Sequence, residues 1–138
     1  MDIEIPLRGA GGEPVDLRRT LTSHGVAELP PMDLAGDYRS MELTLARRRG
    51  RPRTVRIAEA GTDRVRIEVK GRAPSAMTAD EIRDRVRHLL HLDQDLAAFY
   101  EVAAGDPDLS WVTRGAGRMI RMPSVFEAVV KTICTTNV

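Results

Sequence analysis

Few side chains in this sequence sit at spacings that chemistry could use. His88 and His91 are three apart on a predicted helix, where both could face one metal ion, but no third ligand accompanies them. Cys134 is the single cysteine, on the apolar side of the last predicted helix. It reads as a packed residue, because a nucleophilic thiolate needs a basic partner and none is evident. Gly115-x-Gly117 lacks the preceding strand and the spacing of a dinucleotide fingerprint, so it reads as a helix stop, and no cofactor is implied. Arg47-Arg48-Arg49-Gly50-Arg51-Pro52-Arg53 lies between two predicted strands. It is either a phosphate-contacting hairpin tip or a solvated turn, the second being the plainer reading. Arg114, Arg118 and Arg121 surround a glycine turn and could form a phosphate-facing surface, since the arginine fork suits phosphate oxygens. Thr135-Thr136-Asn137 closes the last helix as a polar tip, which on residue type alone is also how a helix end frays. No catalytic constellation is complete, and no catalytic residue is assigned.

The elements that must hold these groups fall into two halves. In the first, apolar residues recur with period two: Ile3, Ile5 and Leu7; Met41, Leu43 and Leu45; Val55 and Ile57; Val65, Ile67 and Val69. That spacing predicts strands with one apolar and one wet face, as in an antiparallel sheet. Short glycine-containing links at 47–52 and 60–63 suit a meander. Leu17 and Leu21 predict a short helix ending near Gly25, and Pro30-Pro31 forbids its continuation. His24-Gly25 reads as a turn or a pocket edge.

The second half carries helical spacing. Thr78 and Glu81 read as a capping box for a helix with Ile82, Val86, Leu89 and Leu90 on one face. Asp93 is expected to cap a helix carrying Leu96, Phe99, Tyr100 and Ala103, with Gly105 as its stop. Asp106-Pro107 opens a shorter helix with Leu109, Trp111 and Val112, stopped at Gly115-Ala116-Gly117. Ser124 and Glu127 form a second capping box, for a helix with Val125, Phe126, Val129, Val130, Ile133 and Cys134 on one face. Strands first and helices afterwards predict an α+β fold: a sheet subdomain over 1–72, a linker, and the start of a helical domain over 78–138.

Composition excludes little. The 138 residues are 42% apolar and 30% charged with a formal charge of +1, ordinary for a soluble domain. The basic residues are nearly all arginine, which a GC-rich genome also supplies. A lone cysteine and the lack of a signal-like N-terminus or a long apolar run make a cytoplasmic protein without a membrane partner the expectation. A helix ending on a polar tip at the last residues suggests the front part of a longer protein.

From about His91 onward the chain resembles the helix-hairpin-helix DNA glycosylases, the superfamily of 8-oxoguanine and 3-methyladenine base-excision enzymes. The matching stretches are residues 92–100, residues 117–121, and Phe126-Glu127-Ala128-Val129-Val130-Lys131-Thr132-Ile133-Cys134-Thr135-Thr136-Asn137, whose ending looks more like the 8-oxoguanine branch. The resemblance implies an α+β fold in which an N-terminal antiparallel sheet precedes the first helices of an all-α glycosylase body, truncated here. It implies a protein, monomeric when full length, that acts on damaged double-stranded DNA and hydrolyses the N-glycosidic bond of an extruded base. Asn137 then lies where the family contacts the orphaned partner base, with Thr135, Thr136, Arg114, Arg118 and Arg121 as further DNA contacts. The catalytic lysine or aspartate is expected beyond residue 138, so the 138 residues alone are expected to be inactive. Lys131 does not match the catalytic position, and Val138 departs from the polar residue often found in the 8-oxoguanine branch.

Overall fold

The computed structural model describes residues 2–136. Five strands, β1 (Asp2–Pro6), β2 (Asp33–Leu34), β3 (Ser40–Leu45), β4 (Arg53–Glu59) and β5 (Arg64–Val69), form one antiparallel sheet in the order β1-β5-β4-β3-β2. The helices are α1 (Leu17–Leu21), α2 (Ala76–Leu89), α3 (Ala97–Ala104) and α4 (Val125–Thr136), with 3-10 turns at Gly25–Glu28 and Ser110–Arg114. The fold is α+β, a sheet followed by helices, as the sequence predicts.

Register explains why the alternation works. Ile3 pairs Ile67, Ile67 pairs Ile57 and Ile57 pairs Met41, so one apolar row crosses four strands. One residue along, Asp2, Glu68, Arg56 and Glu42 form a charged row on the opposite face. A slip of one residue would exchange the two faces, so burial of one face fixes the pairing. Helix α2 covers the apolar face with Ile82, Val86 and Leu89, joining both halves of the chain in one core that also takes in Leu92 and Ile120. Each such side chain contributes about 1.5–3 kcal/mol on burial.

Two helix starts differ from expectation. The α2 cap is Ser75, whose hydroxyl accepts from the Thr78 amide at 3.3 Å, not Thr78. Glu81 is drawn away from the helix start by the β3–β4 loop: its carboxylate accepts the Arg48 amide at 2.6 Å and pairs with Arg47 at 3.4 Å. Asp93 does not cap α3; Asp95 accepts the Ala97 amide at 2.8 Å instead, while Asp93 pairs with Arg121. The expected helix after Asp106-Pro107 is a 3-10 turn, with Trp111 exposed rather than packed, its ring under the Arg19 guanidinium. Gly115 ends that turn at φ 98°, where any Cβ would collide with the backbone of Val15 and Asp16.

The halves are locked by a buried ion pair. Glu13 on the loop after β1 and Arg118 are 6% and 3% exposed. Arg118 donates to the Glu13 carboxylate and to the His91 carbonyl, and the same Glu13 oxygen accepts the Leu96 amide at 2.8 Å. Removing one member strands the other charge in a dry site, which costs about 3–5 kcal/mol. Glu13→Ala is therefore expected to lower stability by about that amount in urea titration, with Glu13→Ala/Arg118→Met recovering a large share. An unchanged midpoint for Glu13→Ala would remove the pair from its central place.

Candidate nucleic-acid interface

The structure disperses the residues picked out for DNA contact. Arg114 is exposed and makes no hydrogen bond or ion pair among the described residues, so its guanidinium is available to a ligand. Arg118 was expected at the surface and lies inside, its fork committed to Glu13 and His91. This correction has a simple cause: a buried carboxylate needs a cation, and Arg118 is the one within reach. Arg121 is half-buried and donates to both Asp93 oxygens at 2.9 and 3.0 Å. It also lies 3.0 Å from His88 Nδ1, which is itself 3.4 Å from an Asp93 oxygen, so the three side chains form one cluster.

Thr135 and Thr136 are exposed at the end of α4. The Thr135 hydroxyl donates back to the Lys131 and Thr132 carbonyls at 2.9 and 3.2 Å, and Thr136 to Ile133 at 3.2 Å. Each therefore offers lone pairs outward and no free proton, which suits a base-edge N–H better than a phosphate. Asn137 lies outside the described residues.

Helix α4 is turned the other way round from expectation. Ser124 caps it by accepting the Glu127 amide at 3.2 Å, but Glu127 pairs with Lys131 instead of reaching back. Lys131 is the buried residue, its ammonium 3.3 Å from the Val26 carbonyl and 2.7 Å from Glu127. The apolar stripe faces out: Val125 is 81% and Phe126 79% exposed, with Val129, Val130 and Ile133 also exposed. Cys134, expected in the core, is exposed. The stripe was legible; that it faces outward among the described residues was not.

A second feature involves the arginine run between β3 and β4. An open cavity of about 690 Å³ lies between the β3–β4 loop and α2, lined by Arg47, Arg48, Arg49, Asp84, His88 and Pro123 among others. Glu81 also lines it. The Arg48 amide, with Arg47 and Arg85 beyond it, outweighs desolvation and holds the Glu81 carboxyl below its ordinary 4.5. Burial alone would raise the Asp93 carboxyl, yet the hydrogen bonds and charge of Arg121 keep it below 3.8. Burial and then the Arg121 charge push the His91 imidazole below 6.5. His24, the other marked position, caps the Gly25–Glu28 turn through Nδ1, accepting from Val26 at 3.2 Å. Among the described residues no three His, Cys, Asp or Glu side chains converge as a metal site, and no helix is long and apolar enough to cross a membrane.

A small antiparallel sheet locked to a layer of helices, the last with its apolar stripe exposed, defines the class of architecture. The fold is similar to that of a solved structure, a 3-methyladenine DNA glycosylase from Archaeoglobus fulgidus. That structure is similar with a TM-score of 0.73 and 18% identity, over 99% of this chain and 45% of that one. The likeness establishes the fold, and the chain spans less than half the length of that protein. No protein-family model matches the sequence, and no curated protein does.

Two outcomes follow from this geometry. A carboxyl held below its ordinary value stabilises the fold fully above the unfolded pKa and loses that contribution as pH falls through the folded one. Glu81→Gln should therefore lower the urea midpoint at pH 7 and flatten its decline below about pH 4.5; identical pH profiles would show that Glu81 does not staple the loop. Phe126→Ser/Val129→Ser should leave the urea midpoint of the 138 residues within about 0.5 kcal/mol while reducing binding of an apolar dye, because both side chains point outward. A large loss of stability would mean that the stripe is packed.

Proposed function

We propose that this chain is the front portion of a base-excision DNA glycosylase, whose whole protein extrudes a damaged base from duplex DNA and hydrolyses its N-glycosidic bond. The observation that carries the reading is the likeness of fold over 99% of the chain, in a protein more than twice as long. The outward apolar stripe of α4 supports it, because exposed apolar area on this scale on one helix marks a surface made to be covered. In this reading the remaining helices pack there and bring the carboxylate or lysine that stabilises or attacks the sugar as the base leaves. The 138 residues supply positioning only. The polar tip Thr135-Thr136-Asn137 meets the gap left by the extruded nucleotide, where an amide can both donate to and accept from the orphaned base. Arg114 contacts the phosphates beside it. Arg121, held by Asp93, stiffens the segment that leads into α4.

A non-enzymatic α+β binding module is the second reading, because a likeness at 18% identity establishes the fold and the same fold can serve binding alone. The experiment is a cleavage assay on duplexes carrying alkylated purines or 8-oxoguanine. The whole protein should generate abasic sites and the 138 residues none. Turnover by the 138 residues would overturn the division of labour, and no turnover by the whole protein on any of these lesions would favour the module. Asn137→Ala in the whole protein should change opposite-base preference by about 1–3 kcal/mol, the worth of a two-point base contact.

A further inference from the structure

The β3–β4 loop carries charge that the fold does not use. Residues 47–53 hold five arginines and no acid; taking five positive charges from the chain's +1 leaves −4, so the basic character is concentrated here. Elsewhere on the sheet, charges are answered in place: Arg64 by Glu4 at 3.0 Å, Arg66 by Glu4 at 3.7 Å, Lys70 by Glu42. At the loop they are not. Arg48, Arg49 and Arg51 are exposed, and their side chains make no hydrogen bond or ion pair among the described residues. Arg72 adds to this end, because the Lys70 amide bonds the Thr54 carbonyl at 3.0 Å and sets the exit of β5 beside the entry of β4.

The loop is nevertheless held firmly. Arg47 donates to the Thr78 hydroxyl at 2.8 Å and pairs with Glu81, and Glu81 also takes the Arg48 amide. One arginine and one acid thus anchor the base of the hairpin, and Arg48, Arg49 and Arg51 are exposed to water on one short loop. Like charges held close repel one another, which has no structural return unless a polyanion completes the site. A solubilising surface would mix both signs, as the sheet face does.

We propose that the β3–β4 hairpin tip is a sequence-independent nucleic-acid contact that grips the phosphate backbone. It is separate from the polar end of α4. Pro123, just before α4, lines the same cavity as Arg47 to Arg49, whereas Thr136 closes the helix about 16 Å further along. The tip therefore reads neither the lesion nor its partner base, and holds damaged and undamaged DNA alike.

The test is fluorescence anisotropy of the 138-residue chain with a labelled undamaged duplex, over a series of salt concentrations. Each phosphate contact contributes about 0.9 to the slope of log affinity against log salt. Arg48→Gln/Arg49→Gln/Arg51→Gln should reduce the slope by about 2–3 and weaken binding at least about 10-fold at 0.1 M salt, with an unchanged urea midpoint. The corresponding lysine triple variant should retain most of the slope, since charge without the fork still meets phosphate. Unchanged slope and affinity in the glutamine variant, or no duplex binding by the wild-type chain at low salt, would overturn the proposal. The assay uses undamaged DNA and no turnover, so its failure and a failure of the glycosylase reading are told apart.

Discussion

The buried pair of Glu13 and Arg118 is the contact on which the arrangement of the two halves depends. Glu13 sits on a loop after β1, and its carboxylate gathers the Arg118 guanidinium and the Leu96 amide. Arg118 in turn holds the His91 carbonyl, at a residue whose backbone adopts φ 60°. Around this knot the chain comes so close that a side chain at Gly9 would run into Arg118 and Glu13, and one at Gly11 into Asp95. The Tyr100 hydroxyl closes the far side, donating to the Ala116 carbonyl at 2.6 Å. A few polar groups in a dry place thereby set where α3 and the segment before α4 sit against the sheet. The penalty for leaving any of them unpaired makes that placement definite.

Much of the fold is legible in the sequence, because its apolar residues carry the period of the element they build. Ile3, Ile57 and Ile67 predict their own row, and the sheet needs only that row to be buried. Helix starts were less legible. Ser75 and Thr78 both carry hydroxyls at cap-like positions, and the capping-box glutamate is claimed from far away in the chain by Arg47 and the Arg48 amide. The stripe on α4 was read correctly as a stripe, but Cys134 on it, expected to be packed, is exposed. Periodicity reports which face needs cover, and only the three-dimensional structure reports whether these residues supply it.

Arginine was the hardest residue to read. Arg114, Arg118 and Arg121 lie within eight residues of one another, yet one is without a partner among the described residues, one is buried and one is clamped to a neighbouring carboxylate. Their sequence neighbourhoods are nearly alike; the difference lies in which acid the fold brings near. The same logic applies in the β3–β4 loop, where Arg47 has an acid from α2 within reach and Arg49 does not. Site assignments that rest on residue type therefore fail or hold according to tertiary partners that no local pattern contains.

The separation of Glu13 and Arg118, 105 residues apart, bears on how the chain is made. Synthesis delivers the strands in sequence, and β1 can find β5 as soon as Val69 has left the ribosome. At that moment Glu13 is without its partner, and the apolar face of the sheet is still without α2. Arg118 comes nearly fifty residues later, after α2 and α3 have been made. Closure of the knot therefore cannot precede the synthesis of every strand and of the helix that covers them. A pause just before Arg118 would leave a nascent chain whose sheet has its cover and whose seam is open.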